Sequence, residues 1–157
     1  MAENAEARVD EALRFLNVVC MALVVSVAGL AGVAWFVANG PGAMGLVGPP
    51  LPPAVAYVGV AIGVALLVAA PLVHRRMLDR TNASQRAGER LDGALESYRL
   101  ATMLAFLLRE GAAIVGLMVT VLTNEPMWCY ILSALALVAM ISGWPRRDQV
   151  AGFLQPA

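Results

Sequence analysis

The amino-acid sequence predicts an all-α integral membrane protein built as a four-helix bundle, and three observations support this fold class. Hydrophobic residues make up 60% of the 157 residues and charged residues only 14%, whereas a soluble domain is nearer half apolar and a quarter charged. The apolar residues form four long runs, and the basic residues cluster outside those runs. We therefore expect a single four-span domain over residues 1–157, with the lipid bilayer as its surroundings.

The apolar runs have the lengths that membrane-spanning helices need. A hydrocarbon core of about 30 Å requires roughly 20 helical residues. The predicted spans cover residues 15–38, 54–73, 100–122 and 127–144, of which the fourth is the shortest and carries no charge. The connection 39–53 is rich in Gly and Pro, which stop helices. Residues 123–126 are short enough to form a tight turn between antiparallel helices, with Pro126 in the first turn of the fourth helix.

The distribution of arginine predicts the orientation. Six arginines lie within residues 74–99, and others flank the first and last spans, whereas the remaining two connections contain no basic residue. The positive-inside rule then places both termini and the Arg-rich segment in the cytoplasm, in a multi-pass protein of the inner (cytoplasmic) membrane. The acidic residues ahead of the first span are unlike the basic start of a signal peptide, so we expect a retained helix.

Residues 75–99 are expected to form an amphipathic cytoplasmic helix or loop. Apolar residues recur there at helical spacing, with Thr81 or Ser84 as a candidate N-cap and no helix breaker before the third span. The apolar positions are Ala87, Leu91, Ala94, Leu95 and Tyr98. This face either packs on the protein's own neighbouring helix or docks a partner.

Small residues mark candidate helix contacts, because close backbone approach drives association inside a bilayer. They follow GxxxG-like spacing in three spans. The candidates are Ala28 and Gly32 in the first span, Gly59 and Gly63 in the second, and Ala105, Ala112 and Gly116 in the third. Packing within the chain is the default interpretation.

Two adjacent charges, Arg109 and Glu110, interrupt the third span. Counted from the start of the predicted span, Glu110 lies roughly 15 Å deep, near the bilayer midplane. An ionisable residue at that depth costs about 2.5–3.5 kcal/mol and is a candidate functional site by default. Neighbouring helical residues point about 100° apart, so the two side chains project from different faces and need other partners. Within the other spans those partners are limited to groups such as the Ser26 hydroxyl.

Three interpretations of the pair remain open. Glu110 is an ion-binding carboxylate, since a carboxyl group in hydrocarbon favours its neutral form and can exchange a proton when hydrated. Alternatively, Arg109 and Glu110 form an intersubunit pair that specifies assembly, as buried ion pairs do in some oligomers. In the third interpretation, both side chains reach a shallow water defect and have no further role.

The segment 98–123, YRLATMLAFLLREGAAIVGLMVTVLT, resembles the acid-bearing second helix of the c-type proteolipids of rotary ATP synthases. The resemblance implies that Glu110 is a proton-binding carboxylate. The chain differs from that family in its long connection between the two helices, in Arg109 beside the acid and in its two additional spans. The resemblance therefore concerns one helix, and we do not predict a rotor subunit.

Other function classes find little support in the sequence. The formal net charge is zero, so no nucleic-acid partner is expected. Cys20 and Cys129 fall toward opposite membrane faces and are predicted to be free thiols, and His74 is expected to be an interfacial side chain. No metal spacing, cofactor motif or catalytic cluster occurs, so we expect no metal, no cofactor and no enzyme.

The sequence thus predicts a small non-catalytic membrane subunit or assembly partner. It would act as a homo-oligomer or as part of a membrane complex, through Arg109 and Glu110. The alternative is a proton- or cation-handling, proteolipid-like channel or transport subunit with Glu110 as its ion-binding carboxylate.

Overall fold

Four α-helices make up the fold, as seen in a computed structural model that describes residues 2–40, 52–86 and 91–148. They are α1 (Ala2–Asn39), α2 (Pro53–Arg86), α3 (Leu91–Thr123) and α4 (Met127–Ser142), and no strand occurs in the described ranges. The all-α class is therefore confirmed. Three helices are long and apolar enough to cross a membrane, over Ala7–Asn39, Ala54–Arg80 and Leu95–Thr123, and α4 is a shorter apolar helix of 16 residues.

Helix α2 continues well beyond its predicted span. It passes through Pro71 and then runs without interruption to Arg86, because no Gly or Pro occurs between Pro71 and that residue. Thr81 and Ser84 therefore lie inside α2, and the N-cap predicted at either position is wrong. Of the predicted amphipathic face, Ala87 and the side chains of Leu91 and Ala94 lie outside the described part of the chain.

Helix α3 lies at the centre of the bundle and contacts the other three helices. Helix α1 packs on α3 and α4, while α2 packs mainly on α3 and only sparsely on α4. The main core joins α1, α3 and α4 through Cys20, Val27, Phe106, Ala113, Ala136 and Met140. Because α1 and α2 share little contact, one side of α3 between them remains uncovered.

A second apolar cluster lies at the Arg-rich end of the bundle. Leu95 and Tyr98, from the first turns of α3, are buried against Ala12 and Leu16 of α1. The amphipathic face at the start of α3 therefore packs on the protein's own first helix. That packing also extends the bundle beyond the length of a single bilayer-spanning segment.

Small residues permit close helix contacts in two of the three spans where these contacts are predicted, namely the second and the third. A side chain at Gly63 would put its Cβ 2.8 Å from Leu132 Cδ1, and one at Gly116 would put its Cβ 3.0 Å from Cys129 Cα. Gly59 faces Val119 in the same way, and Ala105 and Ala112 are buried. By contrast, Gly32 faces open space and Ala28 is exposed, so that pair forms no helix contact with the described residues.

The connections and ends complete the bundle. Asn124 adopts a positive φ of 59° in the tight turn between α3 and α4, a backbone conformation that Asn tolerates better than most residues. At the other end of the bundle, Trp144 Nε1 donates a hydrogen bond of 3.0 Å to Asn17 Oδ1. Arg147 lies 3.6 Å from Asp10 nearby. The residues that precede the span of α1 and those that follow α4 therefore meet at the same end.

Candidate functional site

Glu110 lies on α3 at the edge of the side left uncovered between α1 and α2. Its Oε1 accepts a hydrogen bond of 2.5 Å from Ser26 Oγ of α1, and both side chains are half-buried. Helical geometry puts Glu110 about 20 Å from Thr123 along the axis of α3, well inside a hydrocarbon core of about 30 Å. The carboxyl group therefore lies at membrane depth, held by a hydroxyl from another helix.

The uncovered side of α3 is apolar around this carboxyl group. Five exposed side chains recur there at spacings of three, four and seven residues, and we call this set the α3 stripe. It consists of Leu100, Leu104, Leu107, Ile114 and Met118. Glu110 borders the stripe on the side of α1, where Ser26 reaches it. A partner helix lying on the α3 stripe would therefore also cover the carboxyl group.

Arg109 points into the bundle, away from the α3 stripe. The residue is only 9% exposed. Its guanidinium carbon lies 5.2 Å from the centre of the Phe106 ring, a cation–π distance. On its other side the guanidinium approaches Gly143, where a Cβ would lie 2.6 Å from Nη1. Gly143 follows the last residue of α4, so the cation lies at the carbonyl end of that helix, where the helix dipole favours positive charge.

A cavity of about 190 Å³ surrounds the Arg109 side chain between α2, α3 and α4. Its walls are formed by His74, Thr102, Ala105, Phe106, Arg109 and Gly143. Among the residues that the structure describes, none forms a hydrogen bond or ion pair with Arg109, and its buried Nε has no partner. The cavity therefore contains a positive charge without a counter-ion from the described parts of the chain.

The structure thus separates the two charges that are adjacent in sequence. Glu110 is held by α1 at the edge of the bundle, and Arg109 is enclosed between the other three helices. A symmetric oligomer in which Arg109 of one copy meets Glu110 of the next would require the guanidinium to leave its cavity. Each charge therefore has to be considered as a separate candidate site.

His74 lines the Arg109 cavity, whereas the sequence predicts only an interfacial side chain at this position. Its half-buried ring packs edge-on to Tyr98, with ring centres 6.3 Å apart. A signal was present in the sequence, since antiparallel α2 and α3 bring together residues at nearly equal distances from their connection. His74 and Thr102 satisfy that condition, but the wide predicted connection of residues 74–99 obscured it.

The remaining candidate positions are structural. Cys20 and Cys129 are free and buried, as predicted. Among the described residues, no group of three or more His, Cys, Asp or Glu side chains could hold a metal ion. In comparisons with known proteins, no family model, curated protein or solved structure matches the chain.

Proposed function

We propose that this protein is a small non-catalytic membrane subunit that acts by associating, along the α3 stripe, with another helix in the bilayer. The observation that carries the proposal is the position of Glu110. The carboxyl group lies at membrane depth, at the edge of an uncovered apolar helix face, with a hydrogen bond from Ser26.

The energetics of the bilayer support an interaction at this place. A carboxylate near the centre of a spanning helix costs about 2.5–3.5 kcal/mol, and such residues usually face other helices or water. One hydroxyl satisfies only part of a carboxylate, which has about four acceptor positions. A helix packed on the α3 stripe would remove Glu110 from lipid and could supply further donors.

The shape of this surface also suits a helix. An apolar groove of about 440 Å³ lies between α2 and α3, and Gly59 and Met118 are among the residues that line it. Met118 belongs to the α3 stripe, so the groove and the stripe form one continuous surface.

The partner is either a second copy of this chain or another membrane protein, and a mass measurement distinguishes the two. We expect the purified protein in mild detergent or nanodiscs to be a homo-oligomer, or to retain a co-purifying chain. Glu110→Leu should weaken that association, whereas Glu125→Gln, in the exposed turn before α4, should leave it unchanged. A clean monomer with no co-purifying chain would contradict the proposal.

A second candidate function is favoured by the Ser26–Glu110 hydrogen bond. A carboxyl group paired with a hydroxyl can bind a proton or a small cation. Arg109 points away from Glu110 into its own cavity, and segment 98–123 resembles a proteolipid helix with a proton-binding acid. The test measures proton-coupled flux across the membrane of liposomes that contain the protein. If Glu110→Gln leaves the assembly intact but abolishes proton-coupled flux, this function replaces the assembly function.

We further propose that the Arg-rich end, where the N- and C-terminal segments meet, faces the cytoplasm of a cell with an inner membrane. The arginine distribution supports this orientation. The contact between Asp10 and Arg147 supports the same side for both segments.

A further inference from the structure

We propose that the cavity around Arg109 is a binding site for one phosphate-class oxyanion, with the Arg109 guanidinium as its cationic ligand. The phosphate can come from an anionic lipid headgroup or from free phosphate, and the experiment below distinguishes these sources. This site lies on the face of α3 opposite the α3 stripe, so it does not depend on the proposed association.

The described residues leave the charge on Arg109 without a counter-ion. Its side chain is more than nine-tenths buried, and no anion from the described residues reaches it. A buried ion without a partner is strongly destabilising. The Phe106 ring and the carbonyl end of α4 offset only part of that charge. An external anion would supply the missing compensation.

The side chains that line the cavity suit a phosphate group. The planar guanidinium presents paired donors whose geometry matches phosphate oxygens. The Thr102 hydroxyl and the His74 ring lie in the same walls and can act as further hydrogen-bonding groups. Liquid water occupies about 30 Å³ per molecule. The cavity volume of about 190 Å³ is larger than the volume of several water molecules, which is sufficient for one oxyanion.

Exposed arginines lie next to the cavity-lining residues at the Arg-rich end of the bundle. Arg75 and Arg76 are exposed and directly follow His74, while Arg146 is exposed and lies three residues beyond Gly143. The acidic side chains Asp79 and Glu96 at this end are exposed and do not line the cavity. Because α2 and α4 touch only sparsely, the cavity can open sideways between them. Basic pockets of this kind between helices bind anionic lipid headgroups.

The experiment uses the full chain in detergent. Native mass spectrometry measures binding of phosphatidylglycerol against phosphatidylcholine with the same acyl chains, and calorimetry measures binding of inorganic phosphate in lipid-free samples. We expect the wild-type protein to prefer phosphatidylglycerol at least about tenfold, or to bind inorganic phosphate. Losing a charge-assisted hydrogen bond should make Arg109→Gln lose about tenfold in affinity for the same probe. The control Arg80→Gln removes an exposed charge from the same end and should change binding little.

Two further variants keep the test decisive if Arg109→Gln does not fold. Gly143→Ala should weaken binding because its methyl group would displace the guanidinium. Thr102→Val keeps the side-chain shape but removes the hydroxyl, so it should weaken binding by a smaller factor. Tight phosphatidylglycerol binding without phosphate binding identifies a lipid site, and phosphate binding alone identifies a soluble anion.

Three results would overturn the proposal. One is wild-type protein that binds both lipids equally and does not bind phosphate. Another is a folded Arg109→Gln variant that binds as tightly as the wild type. The last is an Arg109→Gln variant that retains lipid preference but loses its oligomeric state, because the counter-ion would then be a partner chain's carboxylate.

Discussion

At the scale of single residues, Arg109 and Glu110 show how one helical step separates two charges. Glu110 reaches α1 and receives a hydrogen bond from Ser26, whereas Arg109 enters a cavity beside Phe106 and Gly143. Each charge has only weak compensation within the described chain, but for different reasons. Glu110 lies at the bundle edge, and Arg109 lies in an interior without an acid.

The Ser26–Glu110 hydrogen bond gives a prediction at this scale. Ser26→Ala should destabilise the protein by about 1–3 kcal/mol, because hydrogen bonds to charged groups have that range and the carboxyl group would lose its donor. Thermal unfolding in detergent measures the change. Ser142→Ala is a suitable control, since that exposed hydroxyl donates a hydrogen bond to the carbonyl of Ala139 in its own helix.

The prediction also requires that the loss depend on Glu110. In a Glu110→Ala background the Ser26→Ala substitution should have little additional effect, because the hydrogen bond is already absent. An equal loss in both backgrounds would mean that Ser26 stabilises the helix contact by itself.

At the scale of helices, close packing at glycine defines how α2 meets the rest of the bundle. Gly59 and Gly63 face α3 and α4, and Gly116 of α3 faces α4. These contacts hold α2 against α3 at Gly59, and Leu132 of α4 packs against α2 at Gly63. The pairing in turn brings His74 to the cavity that contains Arg109.

Gly63 gives a prediction with a matched control. Gly63→Val should reduce stability by about 1–3 kcal/mol, because overpacking a well-packed contact has that effect and the Cβ would lie 2.8 Å from Leu132 Cδ1. Gly32→Val, on a face with open space, should change stability little. Melting temperatures of both variants in the same detergent provide the measurement, and equal losses would contradict the packing described for α2.

The packing of the α3 extension on α1 gives another prediction. Leu95→Ala should cost about 2–5 kcal/mol, the range for a buried Leu, because Leu95 is buried against Ala12 and Leu16. Hydrogen exchange should then increase in residues 95–99, whereas Glu96→Ala, at an exposed position, should leave exchange unchanged. Unchanged exchange in Leu95→Ala would mean that the contact contributes little.

The sequence predicts helices better than their ends and contacts. Runs of apolar residues determine the helices directly, but the extension of α2 through Pro71 to Arg86 depends on the absence of later breakers and on packing against α3. The sequence also identifies Ser26 as a possible partner for Glu110, since few polar groups occur in the other spans. The meeting of His74 with Arg109 depends on helix register and rotation, which hydropathy does not specify.

At the scale of the whole molecule, the bundle has an Arg-rich end and an opposite end formed by the turn at Asn124. Trp144 bonds to Asn17, and Arg147 approaches Asp10, so the chain begins its span of α1 and leaves α4 at the Arg-rich end. The α3 stripe and the Arg109 cavity lie on different sides of the central helix. The proposed helix association and the proposed anion site therefore use different surfaces of the molecule.

The orientation is testable with intact cells. A cysteine placed at Asn124 should react with a membrane-impermeant maleimide added outside, whereas one placed at Asp148 should react only after the membrane is opened, because positively charged ends remain in the cytoplasm. Both positions are exposed, and the two native cysteines are buried. The reverse labelling pattern would contradict the proposed orientation.

The most direct test of the central claim is cross-linking from the α3 stripe in native membranes. A photo-cross-linking amino acid is placed at Leu107, which is 52% exposed beside Glu110, or at Val138 of α4, which is 66% exposed. Association along α3 predicts a protein adduct from position 107 that Glu110→Leu weakens, and none from position 138. Lipid adducts alone from both positions would contradict the claim.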